Sequence, residues 1–253
     1  MKLLRVVLFA TLCAQPGHAA DNRYDLLGQL LLPFVNVFAK ATTNPNRAVQ
    51  MTARLEQMTG VPPALIGSKA ELALEYPDKV RLRAPVLGED VTICRRGQEV
   101  WAYPASKLQP LLEAAAAAKK LPKLDKKFRL EPFALPIPEK QLVFLPVLFQ
   151  VNEIGSEPLD GENCRVLDLF LMPELAKSLK AKEWAARVWA RPNARPARLS
   201  VAKGEWNVVV RFDQVEFSPT LPASTWEPTS EQAADVMLLD APRYQQLLES
   251  LVK

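Results

Sequence analysis

Residues Ser68–Pro104 read SKAELALEYPDKVRLRAPVLGEDVTICRRGQEVWAYP. Leu72, Leu74 and Tyr76 alternate with Glu71 and Glu75, and Val80 and Leu82 alternate with Arg81 and Arg83. A period of two with charges on the off-beat predicts antiparallel strands, apolar on one face and wet on the other. The breaks carry turn chemistry. Tyr76-Pro77-Asp78-Lys79 has Pro at its second position, and Leu87-Gly88-Glu89-Asp90 and Arg95-Arg96-Gly97-Gln98 are glycine-bearing hairpin loops. A sheet of this kind needs a cover for its apolar face, and that cover decides what the protein can do.

Outward from this stretch the alternation continues. Val49, Met51, Ala53 and Leu55 predict a strand from about Ala48 to Met58. Beyond Val151, strands are expected at Arg165–Leu171, Trp184–Arg191, Arg198–Lys203 and Trp206–Val215, with a hairpin turn at Leu159-Asp160-Gly161-Glu162. Helical spacing appears at four places. Leu26, Leu27, Leu30, Leu31, Phe34, Val37 and Phe38 make one apolar stripe over Asp21–Lys40, interrupted by Pro33. Ser106 with Gln109 fits a capping box ahead of the alanine run Ala114–Ala118. A short helix is expected at Pro173–Lys180 and a terminal one at Pro242–Val252. The apolar run Leu142–Phe149 contains Pro146 and reads as a short kinked helix or lid lying on the sheet. About ten strands with few helices and no βαβ rhythm predict a mainly β fold, a large antiparallel meander curling toward a barrel.

The chain has 253 residues, of which 49% are apolar, enough for a sizeable core. Residues 1–20 predict a secretory leader: Lys2 and Arg5, an apolar core through Leu12, then small residues with cleavage near Ala19 or Ala20. The expectation is a single domain, 21–253, exported to the periplasm. Ala10-Thr11-Leu12-Cys13 puts a large residue where a lipobox needs a small one, so Cys13 reads as part of the leader. Cleavage removes two of the 32 basic residues and leaves the 28 acidic ones, a net charge near +2. Nucleic acid is not expected as a partner.

Cleavage also removes His18, the only histidine. That excludes Ser-His-Asp and Cys-His catalysis and His-ligated metal. The glycines fall singly in turns, so no phosphate-binding loop is present. A carboxylate-only hydrolase stays open, but no acidic pair stands out. No catalytic residue, metal or cofactor is expected. Two cysteines remain, Cys94 and Cys164. In an oxidising compartment they are expected to pair, which would add about 4 kcal/mol in the chain-entropy account. Arg191, Arg195 and Arg198 cluster around Pro192 and Pro196; they read as a solvated loop or as a contact for anionic headgroups or an acidic partner.

The segments Leu74-Glu-Tyr-Pro-Asp-Lys-Val-Arg-Leu82, Arg96-Gly-Gln-Glu-Val-Trp-Ala-Tyr-Pro104, Ala186-Arg-Val-Trp-Ala-Arg-Pro192, Pro196-Ala-Arg-Leu199 and Val210-Arg-Phe-Asp-Gln-Val215 follow in an order that resembles the LolA-like family of outer-membrane lipoprotein carriers and sorting proteins. The resemblance covers about Ala48 to Pro228. It implies an incomplete antiparallel β-barrel, a LolA-like half-barrel, with a helical lid and an apolar face that binds acyl chains of lipids or lipoproteins. The chain departs from the carriers in its length and in a proline-rich insert from Leu121 to Pro146.

The expected lining of that face is Leu72, Leu74, Leu82, Ile93, Trp101, Phe144, Leu148, Leu169, Trp189 and Trp206, each of which also serves as plain core. The function expected is that of a monomeric, non-enzymatic carrier. The alternative is an envelope sensor or scaffold of related fold that binds a protein partner.

Overall fold

The computed structural model describes residues 22–39, 45–86, 88–117, 129–133, 146–178, 181 and 183–252. Helix α1 (Asn22–Phe38) leads into β1 (Ala48–Met58), β2 (Lys69–Glu75), β3 (Lys79–Val86), β4 (Glu89–Arg96) and β5 (Glu99–Tyr103). Helix α2 (Ala105–Ala117) follows. Then come β6 (Phe149–Leu159), β7 (Glu162–Leu171), the short α3 (Pro173–Ser178), β8 (Trp184–Ala190), β9 (Pro196–Lys203) and β10 (Trp206–Ser218). The chain closes with β11 (Met237–Leu239) and α4 (Ala241–Val252).

All eleven strands form one antiparallel sheet in the order β11-β5-β4-β3-β2-β1-β10-β9-β8-β7-β6. Two hairpin meanders are stitched together where β1 pairs with β10, and β11 returns to flank β5. The sheet does not close, because β11 and β6 are its two ends. The incomplete antiparallel barrel implied by the LolA-like resemblance is the architecture this chain adopts.

Register sorts the side chains onto two faces. Val215, Met51, Leu72, Leu82, Ile93, Ala102 and Met237 stand opposite one another in a single row across seven strands. This inner face carries the helices. Leu26, Leu27 and Leu30 of α1 bury Val151, Leu167, Leu169 and Val188. Further along the same helix, Val37 packs with Val49 and Val215, and Phe34 meets Phe217 edge-on at 5.0 Å. At the other end, Leu108 of α2 and Tyr244 and Leu247 of α4 bury Val91, Ile93, Val100 and Ala102. The outer face alternates charge with apolar residues, as in the bidentate pair of Arg187 with Asp168 (2.6 and 3.0 Å).

Several sequence expectations change in detail. Helix α1 runs through Pro33 without ending there. Helix α2 begins at Ala105, so Ser106 lies inside its first turn and makes no capping box. Its backbone N–H and its hydroxyl both bond to the Asp235 carboxylate, at 2.9 and 2.6 Å. An anion from a distant segment thus caps the positive end of the helix. Phe149, expected in a kinked helix, instead starts β6, after a single tight turn at residues 146–148. Residues 142–145 and most of the proline-rich insert lie outside the described residues. The Asp160-Gly161 hairpin is as expected, with positive φ at both residues (55° and 79°), the geometry that matches strand twist.

The expected Cys94–Cys164 disulfide is not formed. Both cysteines are free and fully buried. Cys94 is on β4 and Cys164 on β7, seven strand spacings apart in the sheet order. That is about 33 Å along the sheet, whereas a disulfide needs Cα atoms within about 7 Å. Burial pushes the Cys94 thiol up to about 11 and raises Cys164 as well. Cys94 and Cys164 are therefore expected to resist alkylation at pH 8 in the native protein and both to react once it is denatured. Reductant should leave the Tm unchanged; a drop of several degrees on reduction would contradict the free-thiol assignment.

Candidate functional site

The inner face is covered unevenly. α1 crosses β6–β8 and then one end of β1 and β10, while α2 and α4 cover β4, β5 and β11. Between the two covers lies a strip contributed by β3, β2, β1, β10 and β9. Leu82 and Leu72 lie at its centre, with Met51, Leu55, Val80, Val201, Val208 and Val210 around them. None of these is fully buried, and Leu82 is 42% exposed. Its neighbours in the same row, Ile93 and Val215, are 6% and 5% exposed. The row spans about 29 Å between its end strands, so the part that no described helix covers is a trough bounded by helices on both sides.

The two ends of the sheet differ chemically. The end formed by the β1–β2 and β9–β10 turns is ringed by exposed Met58, Ile66, Val147, Met172 and Trp184. Trp184 meets Trp206 edge-on at 6.0 Å, and Lys203 Nζ lies 5.5 Å above the Trp184 ring. The opposite end is charged. There Arg191 Nη1 pairs with Glu162 at 2.8 Å, Arg211 pairs with Asp160, and Arg96 Nη2 pairs with Glu99 at 2.6 Å. Arg96 and Arg211 are off-beat from Arg95 and Val210, so their pairs lie on the outer face at that end and leave the trough itself apolar.

The expected lining residues separate by strand parity. Leu72, Leu74, Leu82, Ile93, Leu169 and Trp206 are on the inner face. Of these, Ile93 and Leu169 are packed beneath helices, and Leu74 lies partly covered beside Val37. Leu72, Leu82 and Trp206 border the open trough. Leu148 sits at the mouth, where its carbonyl accepts the Met172 N–H at 2.9 Å. Phe144 lies outside the described residues.

Trp101 and Trp189 are on the outer face. Trp101 lies beneath Trp226 and donates its ring N–H to the Trp226 carbonyl at 2.9 Å. Trp189 donates to Glu157 at 2.7 Å and stacks under Arg198 at 4.9 Å. Each is the middle of a small outer cluster that seals the back of the sheet.

The arginine cluster is largely structural. Arg191 is paired with Glu162, and Arg198 Nε lies 2.6 Å from Glu56. Arg195 donates to the Val215 carbonyl at 2.7 Å, fastening the β8–β9 hairpin to the irregular part of β10. The cavity beside them, about 210 Å³, is lined by Glu162 and Asp213 as well as Arg191 and Arg195.

Sequence reasoning missed the residue that breaks the apolar pattern. Arg95 has the same parity as Val91 and Ile93 and is only 5% exposed on the inner face. Its Nε donates to the Gly97 carbonyl at 2.9 Å, its Nη2 donates to the Glu131 carbonyl at 2.7 Å, and its guanidinium lies 4.8 Å from the Phe133 ring. A charged side chain on an otherwise apolar beat was the available signal.

No protein-family model matches the sequence, and no curated protein matches it significantly in sequence. Some solved structures are similar to this chain. One is the Mycobacterium tuberculosis lipoprotein LppX, at 13% identity and a TM-score of 0.43, covering 81% of this chain and 99% of that one. Another is the Pseudomonas aeruginosa MucA/MucB complex, at 12% identity and 0.44, covering 86% of this chain and 63% of that one. A third is the LolA superfamily protein NE2245 from Nitrosomonas europaea, at 10% identity and 0.29, covering 78% and 96%.

Proposed function

We propose that this chain is a non-enzymatic binding protein of the cell envelope that holds acyl chains in the trough between its two helical covers. The observation that carries this reading is the half-open row Met51–Leu72–Leu82, flanked on both sides by the same row's buried members. Burying an acyl chain contributes about 0.8 kcal/mol per CH₂, so an apolar floor holds a lipid without any reactive group. Leu72, Leu82 and Trp206 would contact the chain, and Ile93, Leu169 and Leu74 would support the walls. Residues 1–20 act as a cleaved leader that delivers residues 21–253 to the periplasm.

Native mass spectrometry of the protein purified from its own envelope tests the proposal. A co-purifying lipid mass is expected. An apo mass that takes up no lipid when lipid is offered would sink it. A second reading, a scaffold for a protein partner, is favoured by the exposed apolar ring at the mouth (Met58, Ile66, Met172). It predicts that apo outcome together with a stable complex recovered by cross-linking in the envelope.

A further inference from the structure

Arg95 is a buried cation with no counter-ion. Among the described residues no carboxylate lies within ion-pair distance of it, and both of its hydrogen bonds go to neutral backbone carbonyls. A guanidinium has five N–H donors, so three have no acceptor among the described residues. Neighbouring side chains do not neutralise it: Asp78, Glu131 and Tyr244 act only at longer range, and burial dominates, pulling the Arg95 pKa down. A largely buried charge without a counter-ion is costly and invites an anion.

Its position says what kind of anion. Arg95 is two residues along β4 from Ile93, whose cross-strand partner is Leu82 at the centre of the trough. Val80, directly opposite Arg95 on β3, continues the apolar floor between the two. Arg95 thus stands on the inner face at the end of this apolar floor away from the Met58–Trp184 mouth, with its guanidinium turned to the Gly97 and Glu131 carbonyls.

Resting on the carrier reading above, we infer that Arg95 is the anchor for the anionic head of a bound single-chain amphiphile, whose apolar tail lies over Leu82 and Leu72 toward the mouth. The ligand enters head first. A lipoprotein cannot, because its head is a polypeptide; a carboxylate- or phosphate-ended chain can. Two of the unbonded N–H groups give the bidentate geometry such an anion accepts.

Calorimetric titration of the purified, delipidated full chain at pH 8 tests this with dodecanoate, methyl dodecanoate and acetate. Dodecanoate is expected to bind at least about tenfold more tightly than its methyl ester, and acetate far more weakly than either. Equal affinity for acid and ester would overturn the anchor while leaving acyl carriage intact. Failure of both to bind would overturn both readings. Acetate binding as tightly as dodecanoate would make this an anion site without a tail and overturn the inference. In Arg95→Gln the preference for acid over ester is expected to vanish; a persisting preference would also overturn it. Should that variant not fold, the wild-type comparison still decides.

Discussion

Glu75→Ala is expected to lower stability at pH 7 by about 3 kcal/mol, measured by urea denaturation, because it removes one acceptor and strands three donors. Glu75 ends β2 on the outer face and is 9% exposed. Its carboxylate accepts from Lys79 Nζ at 2.6 Å, Thr220 Oγ1 at 3.0 Å and the Leu221 backbone N–H at 2.8 Å. These bonds tie the chain leaving β10 back across the sheet, so that Trp226 lands on Ala73, Cys94 and Trp101.

Burial pushes this carboxyl up, but the Leu221 N–H, Lys79 and Thr220 together outweigh burial and hold it below the usual carboxylate range. A lowered folded-state pKa gives stability that is fully present above the unfolded value, near 4.3, and lost as pH falls through the folded value. The gap between wild type and Glu75→Gln should therefore be widest near neutrality and narrow below about pH 4. A gap that is constant with pH would show that the charge is not what holds the segment.

Leu82→Glu is expected to weaken binding of methyl dodecanoate by at least about tenfold, since a bound tail would desolvate the new carboxylate. Folding should change little, within about 0.5 kcal/mol, because Leu82 is already 42% exposed. Leu238→Glu is the matched control: Leu238 is 80% exposed on the outer face of β11, and its replacement should leave affinity unaltered. If Leu82→Glu binds the ester as wild type does, the tail does not run over this strip.

Local alternation made much of the fold legible. The strand expected from Ala48 to Met58 is found with those bounds, and the Ser68–Pro104 stretch folds as the predicted run of short strands. Alternation assigns parity, however, and not which parity faces inward. Trp101 stands off-beat from Val100 and Ala102, and Trp189 off-beat from Val188 and Ala190. Bulk and hydrophobicity pointed to lining residues, but register puts both on the back of the sheet. The β1–β10 seam is a pairing between distant segments and leaves no local trace. The disulfide inference used only redox compartment and cysteine count, neither of which carries a distance. Arg95 was hidden for the opposite reason: a reader of patterns treats a charge as an off-beat residue, and here it falls on the apolar beat.

The seam also bears on how the molecule is made. β1 emerges early, yet the partner for its far edge is β10, with Ala48 opposite Ser218. Until β10 has been synthesised, β1 presents an unpaired, partly apolar edge to every other nascent chain around it. Long-range pairing of this kind is slow to form. A newly made copy would depend on holdase chaperones for the interval between its first strand and its tenth.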